Sequence, residues 1–152
     1  LSLGDKESTI RYINDCPDHL LVLGDEQRLV QVFVNLLANA RDASPEHGAI
    51  VISGKREGHS AMMAIEDEGC GIPEKQLDHI FEPFYTTKGP KQGTGLGLSL
   101  VYSIIEEHYG SIHVESPTDT QHKRGTRVRI KLPAAGDPER SDAGAENQGA
   151  TQ

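Results

Sequence analysis

The sequence predicts a single domain of the mixed α/β (α+β) class followed by a polar tail, and three observations lead to this prediction. A length of 152 residues suffices for one domain with a sizeable core but not for two. Segments with helical periodicity alternate with short runs that have the period of two typical of strands. Large apolar residues are absent after Pro133, so we expect residues 1–133 to form the domain and residues 134–152 a disordered tail.

The order of the elements follows from local patterns. Six segments predict strands, at residues 8–14, 20–23, 49–53, 60–66, 111–116 and 126–132. Three segments predict helices, at residues 26–43, at residues 74–80 and in an apolar run that ends near Tyr109. Asp25 supplies a capping carboxylate for the first helix, which ends before Pro45. Pro73 begins the second helix, and we expect Gly110 to stop the third.

The long helix carries a polar stripe that includes Asn35 and Asn39. Their spacing places both carboxamides one turn apart on the same face. Asn favours helices only weakly, and its amide oxygen is a neutral, hard ligand of the kind that Mg²⁺ accepts. The helix alone therefore leaves two interpretations open, a metal-phosphate site and an ordinary solvated face.

The segment after the fourth predicted strand combines a carboxylate with two glycines, as Asp67-x-Gly69-x-Gly71. Glycines let the backbone turn sharply and approach a flat ligand closely. An enclosed Asp67 would accept a hydrogen bond from an exocyclic amine and reject a ligand that lacks this donor. A strand-to-helix turn that needs glycine for its dihedral angles is the alternative.

Residues 81–97 have the composition of a hinged lid followed by an anion site. Aromatic residues come first, polar positions follow, and a run of alternating glycines at residues 93–97 opens into the apolar helix. The N–H groups and the dipole at such a helix start attract anions, and we expect Thr86, Thr87, Lys88 and Lys91 to add hydroxyl donors and positive charge. Neither the P-loop pattern nor the placement of a dinucleotide fingerprint is present.

Composition argues against several other functions. The net charge of −8 and the pI near 5.3 disfavour a nucleic-acid surface, which would be basic. The two cysteines and seven scattered histidines lack the ligand spacing of a zinc site. Neither a long apolar run nor a signal segment occurs, so we expect a soluble, cytoplasmic domain. Because the chain begins with Leu1 instead of Met, we expect it to be a piece of a larger protein, for which a membrane anchor stays open.

Taken together and in this order, the motifs resemble the catalytic and ATP-binding domain of sensor histidine kinases. These motifs are the paired Asn, Asp67-x-Gly69-x-Gly71, Phe81-x-Pro-Phe84 and Gly93-x-Gly95-x-Gly97. The resemblance covers residues 8–133 and extends to the superfamily that includes gyrase, Hsp90 and MutL-type ATPases. It implies a two-layer sandwich in which a mixed, mostly antiparallel sheet backs about three helices, with ATP held between the long helix and a flexible lid.

The resemblance implies ATP and Mg²⁺ as cofactors and gives roles to individual residues. Asn39 would coordinate Mg²⁺, Asn35 would lie beside the phosphates, and Lys88 would join them in catalysis. Asp67 resembles the residue that reads the adenine amine, and Thr126 resembles the threonine that supports this recognition. The other residues that the resemblance places at the nucleotide or its lid are Asp42, Gly69, Gly71, Ile72, Phe84, Thr86, Thr87, Gly93, Thr94, Gly95, Leu96, Gly97 and Leu98.

One position separates kinases from hydrolases in this superfamily. Its ATPases typically carry a Glu one turn before the metal-binding Asn, where the carboxylate activates water as a general base. Asn35 occupies this position here and cannot take a proton at neutral pH. The resemblance therefore implies slow hydrolysis and transfer of the γ-phosphoryl group to an external histidine, driven by positioning and by Mg²⁺ charge neutralisation.

Two departures from the family pattern bear on partners. Asp42 stands where some relatives carry a basic residue, so neutralisation of the phosphates would rest on Lys88, Lys91 or Arg41. The phosphoacceptor motif, a His followed by an acidic residue in a helical hairpin, does not occur in the sequence. The resemblance thus implies that a dimerisation and phosphoacceptor hairpin lies elsewhere in a homodimeric parent, that a response regulator is the indirect partner, and that the isolated domain is monomeric.

Three alternatives stay open at this point. A stand-alone ATPase of the same superfamily is disfavoured by Asn35. An ATP-gated interaction module would bind the nucleotide without transferring phosphate and would use the lid as a docking surface. A serine/threonine kinase of the same fold would share every residue named above.

Overall fold

The computed structural model describes residues 9–83, residue 85 and residues 97–136. The strands are β1 (Arg11–Asp15), β2 (Ala49–Glu57), β3 (Ser60–Asp67), β4 (Ser111–Glu115) and β5 (Thr126–Pro133). The helices in the described ranges are α1 (Glu26–Ala43), α2 (Glu74–Leu77) and α3 (Gly97–Glu107). None of these helices is long and apolar enough to cross a membrane.

The five strands form one open sheet in the order β1-β2-β3-β5-β4. β1 pairs with β2 in parallel, and the other three pairings are antiparallel. Helices α1 and α3 pack against each other, with α1 also against β3 and α3 against β4. The predicted two-layer α/β sandwich with a mixed, mostly antiparallel sheet is therefore confirmed.

The core lies between the helices and the inner face of the sheet. Alternation places every second strand residue on this face, and the helical repeat supplies the opposite side. The buried apolar residues of this core are Ile10, Leu29, Val32, Leu36, Ala40, Ile50, Ile65, Val101, Ile104, Ile105, Ile130 and Leu132. This packing fixes α1 above the centre of the sheet, and the end of β3 lies beside the last turn of α1.

Helix α1 begins and ends at residues that bond its free backbone groups. The Asp25 carboxylate accepts hydrogen bonds from the N–H groups of Gln27 at 3.0 Å and Arg28 at 3.3 Å, as predicted for its N-cap. At the other end, the buried Ser44 hydroxyl donates to the Ala40 carbonyl at 2.6 Å. These caps give α1 fixed ends, so its polar flank has a defined position.

The end of α3 is fixed to the start of α1. The His108 ring bonds the Ile104 carbonyl through Nδ1 at 2.7 Å and accepts the Asp25 N–H through Nε2 at 3.0 Å. Since a carbonyl only accepts, Nδ1 carries the proton and Nε2 is the acceptor. An ion pair between Arg28 and Glu107 at 2.6 Å lies beside this ring. The two helices are thus joined at one end of the helical layer.

The C-terminus of α3 differs from the prediction that Gly110 would stop the helix. Tyr109 adopts that conformation, with φ of 60°, while the N–H groups of Tyr109 and Gly110 bond Glu106 and Ile105 carbonyls, both at 3.0 Å. Gly110 is required for a different reason, because a Cβ there would lie 2.8 Å from Cδ2 of Leu132 and against the Lys131 carbonyl. Close packing on β5, and not a positive φ, explains this glycine.

Two predicted elements are wrong in extent. Residues 20–23 form no strand but a single bridge between Val22 and Ala134. The predicted loop at residues 54–59 is mostly strand, because β2 continues to Glu57 and leaves a two-residue turn in which Gly58 has φ of 59°. Gly54 suits the strand because a Cβ there would lie 2.7 Å from Cδ2 of Leu20.

The second helix is also shorter than predicted. α2 spans only Glu74–Leu77, and the residues that follow to position 83 form turns. At the end of the domain, the first residues of the predicted tail are hydrogen-bonded, since Arg56 donates to the carbonyls of Ala135 and Gly136 at 2.6 Å. The predicted disorder of residues 137–152 lies outside the described residues.

Candidate functional site

The candidate site is built on Asp67, the last residue of the central strand β3. Asp67 lies opposite Ile50 on one side and Thr126 on the other, and only 7% of its surface is exposed. Its Oδ1 accepts the Gly69 N–H at 2.8 Å. Burial raises the pKa of Asp67 from 3.8 to about 6, against the opposing effect of backbone hydrogen bonds from Gly69 and Thr126.

Gly69 brings the segment after β3 against the last turn of α1. A Cβ on Gly69 would lie 2.5 Å from the Ala43 carbonyl oxygen, so no other residue fits at this contact. Gly71 has φ of 77°, which favours glycine and turns the chain toward α2. The two glycines of the motif therefore have separate structural reasons, close approach for Gly69 and a left-handed turn for Gly71.

Asn35 and Asn39 are half-buried on one flank of α1. Asn39 lies one helical turn before Ala43, whose backbone contacts Gly69, and Asn35 lies one turn further. Asp42 is half-buried and forms an ion pair with Arg41 at 3.6 Å. At about 100° per residue, Arg41 points about 160° away from Asn39, which leaves Arg41 on a different side of α1.

The N-terminus of α3 is the third part of the site. Gly97 begins this helix, and Leu98 packs against the core. Because the last turn of α3 is fixed to the first turn of α1, and the helices pack together, their directions oppose each other. A rise of about 1.5 Å per residue then places Gly97 roughly level with Asn35 and Asn39. The first turn of α3 has no acidic residue, so no side chain of that turn neutralises its positive dipole end.

The loop between β4 and β5 closes the back of the Asp67 segment, through a residue that the sequence did not single out. The Ser116 hydroxyl donates to the Gly125 carbonyl at 2.8 Å and accepts the Ile72 N–H at 2.7 Å. It also lies 3.1 Å from the hydroxyl of the buried Thr126. A serine at a strand end has no motif of its own, and its partners lie 9 to 44 residues away.

The remaining predicted site residues belong to the lid and its glycine run. Phe81, at the start of the predicted lid segment, packs against Tyr102 in α3 with their ring centroids 5.3 Å apart. The predicted site residues that lie outside the described residues are Phe84, Thr86, Thr87, Lys88, Gly93, Thr94, Gly95 and Leu96. The described residues thus bring together Asp67, Gly69, Gly71, Ile72 and Thr126 at one end of the sheet, with the Asn pair on the adjoining helix.

The residues present fit a nucleotide-bound Mg²⁺ better than a metal held by protein alone. Among the described residues, no group of three or more His, Cys, Asp or Glu side chains is arranged to hold a metal ion. Mg²⁺ is commonly held by few protein ligands together with substrate phosphates. Two half-buried carboxamides near a helix N-terminus match that pattern, because they can add a neutral oxygen ligand beside the phosphates.

Comparison with known proteins identifies the family. Residues 24–136 match the family of histidine kinase-, DNA gyrase B- and HSP90-like ATPases. The sequence is 44% identical over 116 residues to sporulation kinase A of Bacillus subtilis (strain 168), an alignment that spans 76% of this chain and 18% of that protein.

Solved structures agree with the sequence match. The mycobacterial sensor histidine kinase MprB superposes with a TM-score of 0.76 at 29% identity, over 84% of this chain and 83% of that one. The catalytic domain of histidine kinase ThkA gives a TM-score of 0.73 at 33% identity, over 86% and 82% of the two chains. The chain therefore belongs to the family of histidine kinase-, DNA gyrase B- and HSP90-like ATPases, and the predicted resemblance to histidine kinase catalytic domains is confirmed.

Proposed function

We propose that this domain binds Mg-ATP and donates its γ-phosphoryl group to a histidine on another part of the parent protein. The observation that carries the proposal is the buried Asp67 carboxylate, which ends the central strand among backbone donors. A carboxylate has about four acceptor positions, so those not used by Gly69 and Thr126 can receive the amine of adenine. Guanine has a carbonyl oxygen where adenine has the amine. This oxygen and the carboxylate are both acceptors and would face each other without a hydrogen bond.

The phosphates would lie between α1 and the N-terminus of α3. Asn39 would contribute an oxygen ligand to Mg²⁺, and Asn35 would donate through its amide to the phosphates. The metal neutralises phosphate charge when the nucleotide is bound. We propose Lys88, together with the backbone around Gly97, as a further source of positive charge at the phosphates.

Asn35 argues against transfer of the phosphoryl group to water. An amide cannot accept a proton as a general base, so this domain lacks that means of activating water at the position where the related ATPases carry it. Several relatives are named as sensor or sporulation kinases, which supports a phosphorylation role for this chain. We propose the helical hairpin of a homodimeric parent as acceptor, a response regulator as eventual partner, and the cytoplasm as the location.

Calorimetric titration of Mg-ATP and Mg-GTP into the wild type tests the nucleotide site. The proposal expects binding of ATP but not GTP, loss of ATP binding in Asp67→Asn, and a weaker dependence on Mg²⁺ in Asn39→Ala. Asp78→Asn, a change of an exposed residue in the turn after α2, serves as the matched control. A folded wild type that binds neither nucleotide would contradict the proposal.

The transfer step needs a second experiment. The domain is incubated with labelled ATP and a separate hairpin fragment that contains the acceptor histidine. Label that is acid-labile and base-stable on the fragment is expected, with little free phosphate released. ATP binding without labelling would favour the ATP-gated interaction module, and rapid phosphate release would favour a stand-alone ATPase.

A further inference from the structure

Ser116 forms hydrogen bonds that fix the direction of a neighbouring proton. A serine hydroxyl has one proton to donate. Ser116 donates it to the Gly125 carbonyl at 2.8 Å. The Ile72 N–H, at 2.7 Å, can only donate to Ser116. In the remaining contact, at 3.1 Å, the Thr126 hydroxyl must therefore donate its proton to Ser116.

The direction of the Thr126 hydroxyl matters for Asp67. Thr126 and Asp67 are directly opposite in the pairing of β3 with β5, and their side chains share the same face of the sheet. Without its Ser116 partner, the Thr126 hydroxyl would be free to donate to the Asp67 carboxylate, which lies directly across the strand pair on the same face. It would then compete with the ligand amine for one of the two acceptor positions that the backbone N–H groups of Gly69 and Thr126 leave on the carboxylate. Ser116 draws this proton away from the carboxylate.

The same hydroxyl also holds the backbone at the proposed base site. Ile72 follows Gly71, whose φ of 77° sets the turn after the Asp67 segment. A Cβ on Gly71 would lie 3.2 Å from Ser116 Oγ, which shows how closely this turn packs on the serine. The Gly125 N–H donates to the Gly69 carbonyl at 2.8 Å, so both sides of the Asp67 segment are tied to the same loop.

We propose that Ser116 is a positioning residue that sets the base specificity of the nucleotide site, by directing the Thr126 hydroxyl away from Asp67 and by holding the Ile72 N–H. The inference rests on the proposed nucleotide function and extends it to a residue outside the four motifs named above. It assigns Ser116 to discrimination between a purine with an amine at position 6 and one with a carbonyl there.

The test compares ATP with ITP, which has the same triphosphate but carries a carbonyl in place of the amine. Both are titrated at pH 8 into the wild type and Ser116→Ala. The variant is expected to bind ATP about tenfold more weakly, because the Thr126 hydroxyl becomes a competitor of the adenine amine at the carboxylate. ITP affinity should change much less, so the ratio of the two affinities falls about tenfold.

Controls separate this role from a general loss of structure. Ser111→Ala changes an exposed serine at the opposite end of β4 and should leave both affinities unchanged. Ser116→Thr keeps the hydroxyl and should retain the wild-type ratio. If Ser116→Ala does not fold, Ser116→Cys, which is close in size but a weak hydrogen-bonding group, should lower the ratio in the same direction.

The outcomes distinguish the two proposals. A wild type that binds no ATP overturns the proposed function and this inference with it. A wild type that binds ATP, together with a folded Ser116→Ala variant of unchanged ratio, overturns the inference alone. An equal loss of affinity for ATP and ITP also overturns it, since that result indicates a structural effect on the whole site.

Discussion

Asp67 is placed where its ionised form is unfavourable for the unliganded protein but useful for a ligand. Burial at the end of β3 raises its pKa to about 6, and two backbone N–H groups only partly oppose this. The folded domain therefore binds a proton at this carboxylate more tightly than the unfolded chain does. A ligand amine would supply a further hydrogen bond to this carboxylate. The residue that lowers the stability of the free domain is therefore the one expected to strengthen nucleotide binding.

Asp67→Asn should stabilise the unliganded domain, increasingly so at higher pH. A carboxylate whose folded pKa is raised from 3.8 to about 6 favours folding fully below pH 3.8, and this contribution is lost as the pH rises through 6. Asn keeps an oxygen acceptor for Gly69 and does not titrate. Relative to wild type, the free energy of unfolding of the variant should gain about 1 kcal/mol between pH 5 and pH 8 in urea denaturation without nucleotide. A difference that is constant with pH would contradict this.

The same ionisation should control base specificity. Below pH 6 the protonated Asp67 no longer offers two full acceptor oxygens, so ATP loses its advantage over ITP. At pH 5 about a tenth of the carboxylate is ionised in the free domain, and the ratio of ATP to ITP affinity should fall about tenfold from its value at pH 8. The comparison cancels titration of the triphosphate, which both ligands share. An unchanged ratio would exclude Asp67 as the group that reads the amine.

At the scale of elements, the His108 ring joins two helices whose other ends carry the candidate phosphate site. His108→Phe keeps a ring but leaves the Asp25 N–H and the Ile104 carbonyl without this partner. We expect the free energy of unfolding to fall by about 1–2 kcal/mol, measured by urea denaturation. The control is His113→Phe on the exposed side of β4, which should change stability by less than about 0.5 kcal/mol. Equal losses of unfolding free energy in the two variants would contradict the role of His108 in joining the helices.

Elements for which several local sequence signals agree are predicted correctly, whereas those with a single signal are not. The helix at residues 26–43 agrees with α1 because an amphipathic repeat, an Asp cap and a following proline all point to the same bounds. Residues 20–23 have an apolar pattern like a strand, but tertiary contacts give them only the bridge from Val22 to Ala134. Gly54 suggests a turn, although its real constraint is the side chain of Leu20, which no local pattern reveals.

At the scale of the whole molecule, the candidate site combines near and distant parts of the sequence. The Asp67 segment and the Asn pair can be singled out from the sequence, because each is a short motif with a chemical reason of its own. Ser116 cannot, because its proposed role depends on Ile72 lying 44 residues away and on the register of β5 beside β3. Contacts that depend on strand order become visible only once the sheet is known.

Sequence composition alone places the end of the domain at Pro133, whereas hydrogen bonds connect the chain to the domain as far as Gly136. Ala134 is buried at 6% exposure and donates its N–H to His59 at 2.8 Å, although it follows the last predicted strand. The Ala135 N–H donates to Leu21 at 3.0 Å. Arg56 bonds the carbonyls of Ala135 and Gly136. These contacts connect the chain end to the β2–β3 hairpin and to the segment before α1.

Truncation should therefore have a sharp threshold. A chain that ends after Gly136 is expected to match the full chain in stability, since the residues removed carry no large apolar side chain. A chain that ends after Pro133 should lose about 1–3 kcal/mol in urea denaturation, because the Arg56 guanidinium and the His59 carbonyl lose their partners. Arg56→Ala in the full chain should reproduce part of that loss, whereas Lys55→Ala, an exposed neighbour, should not. Equal stability of both truncations would place the end of the folded domain at Pro133, as composition predicts.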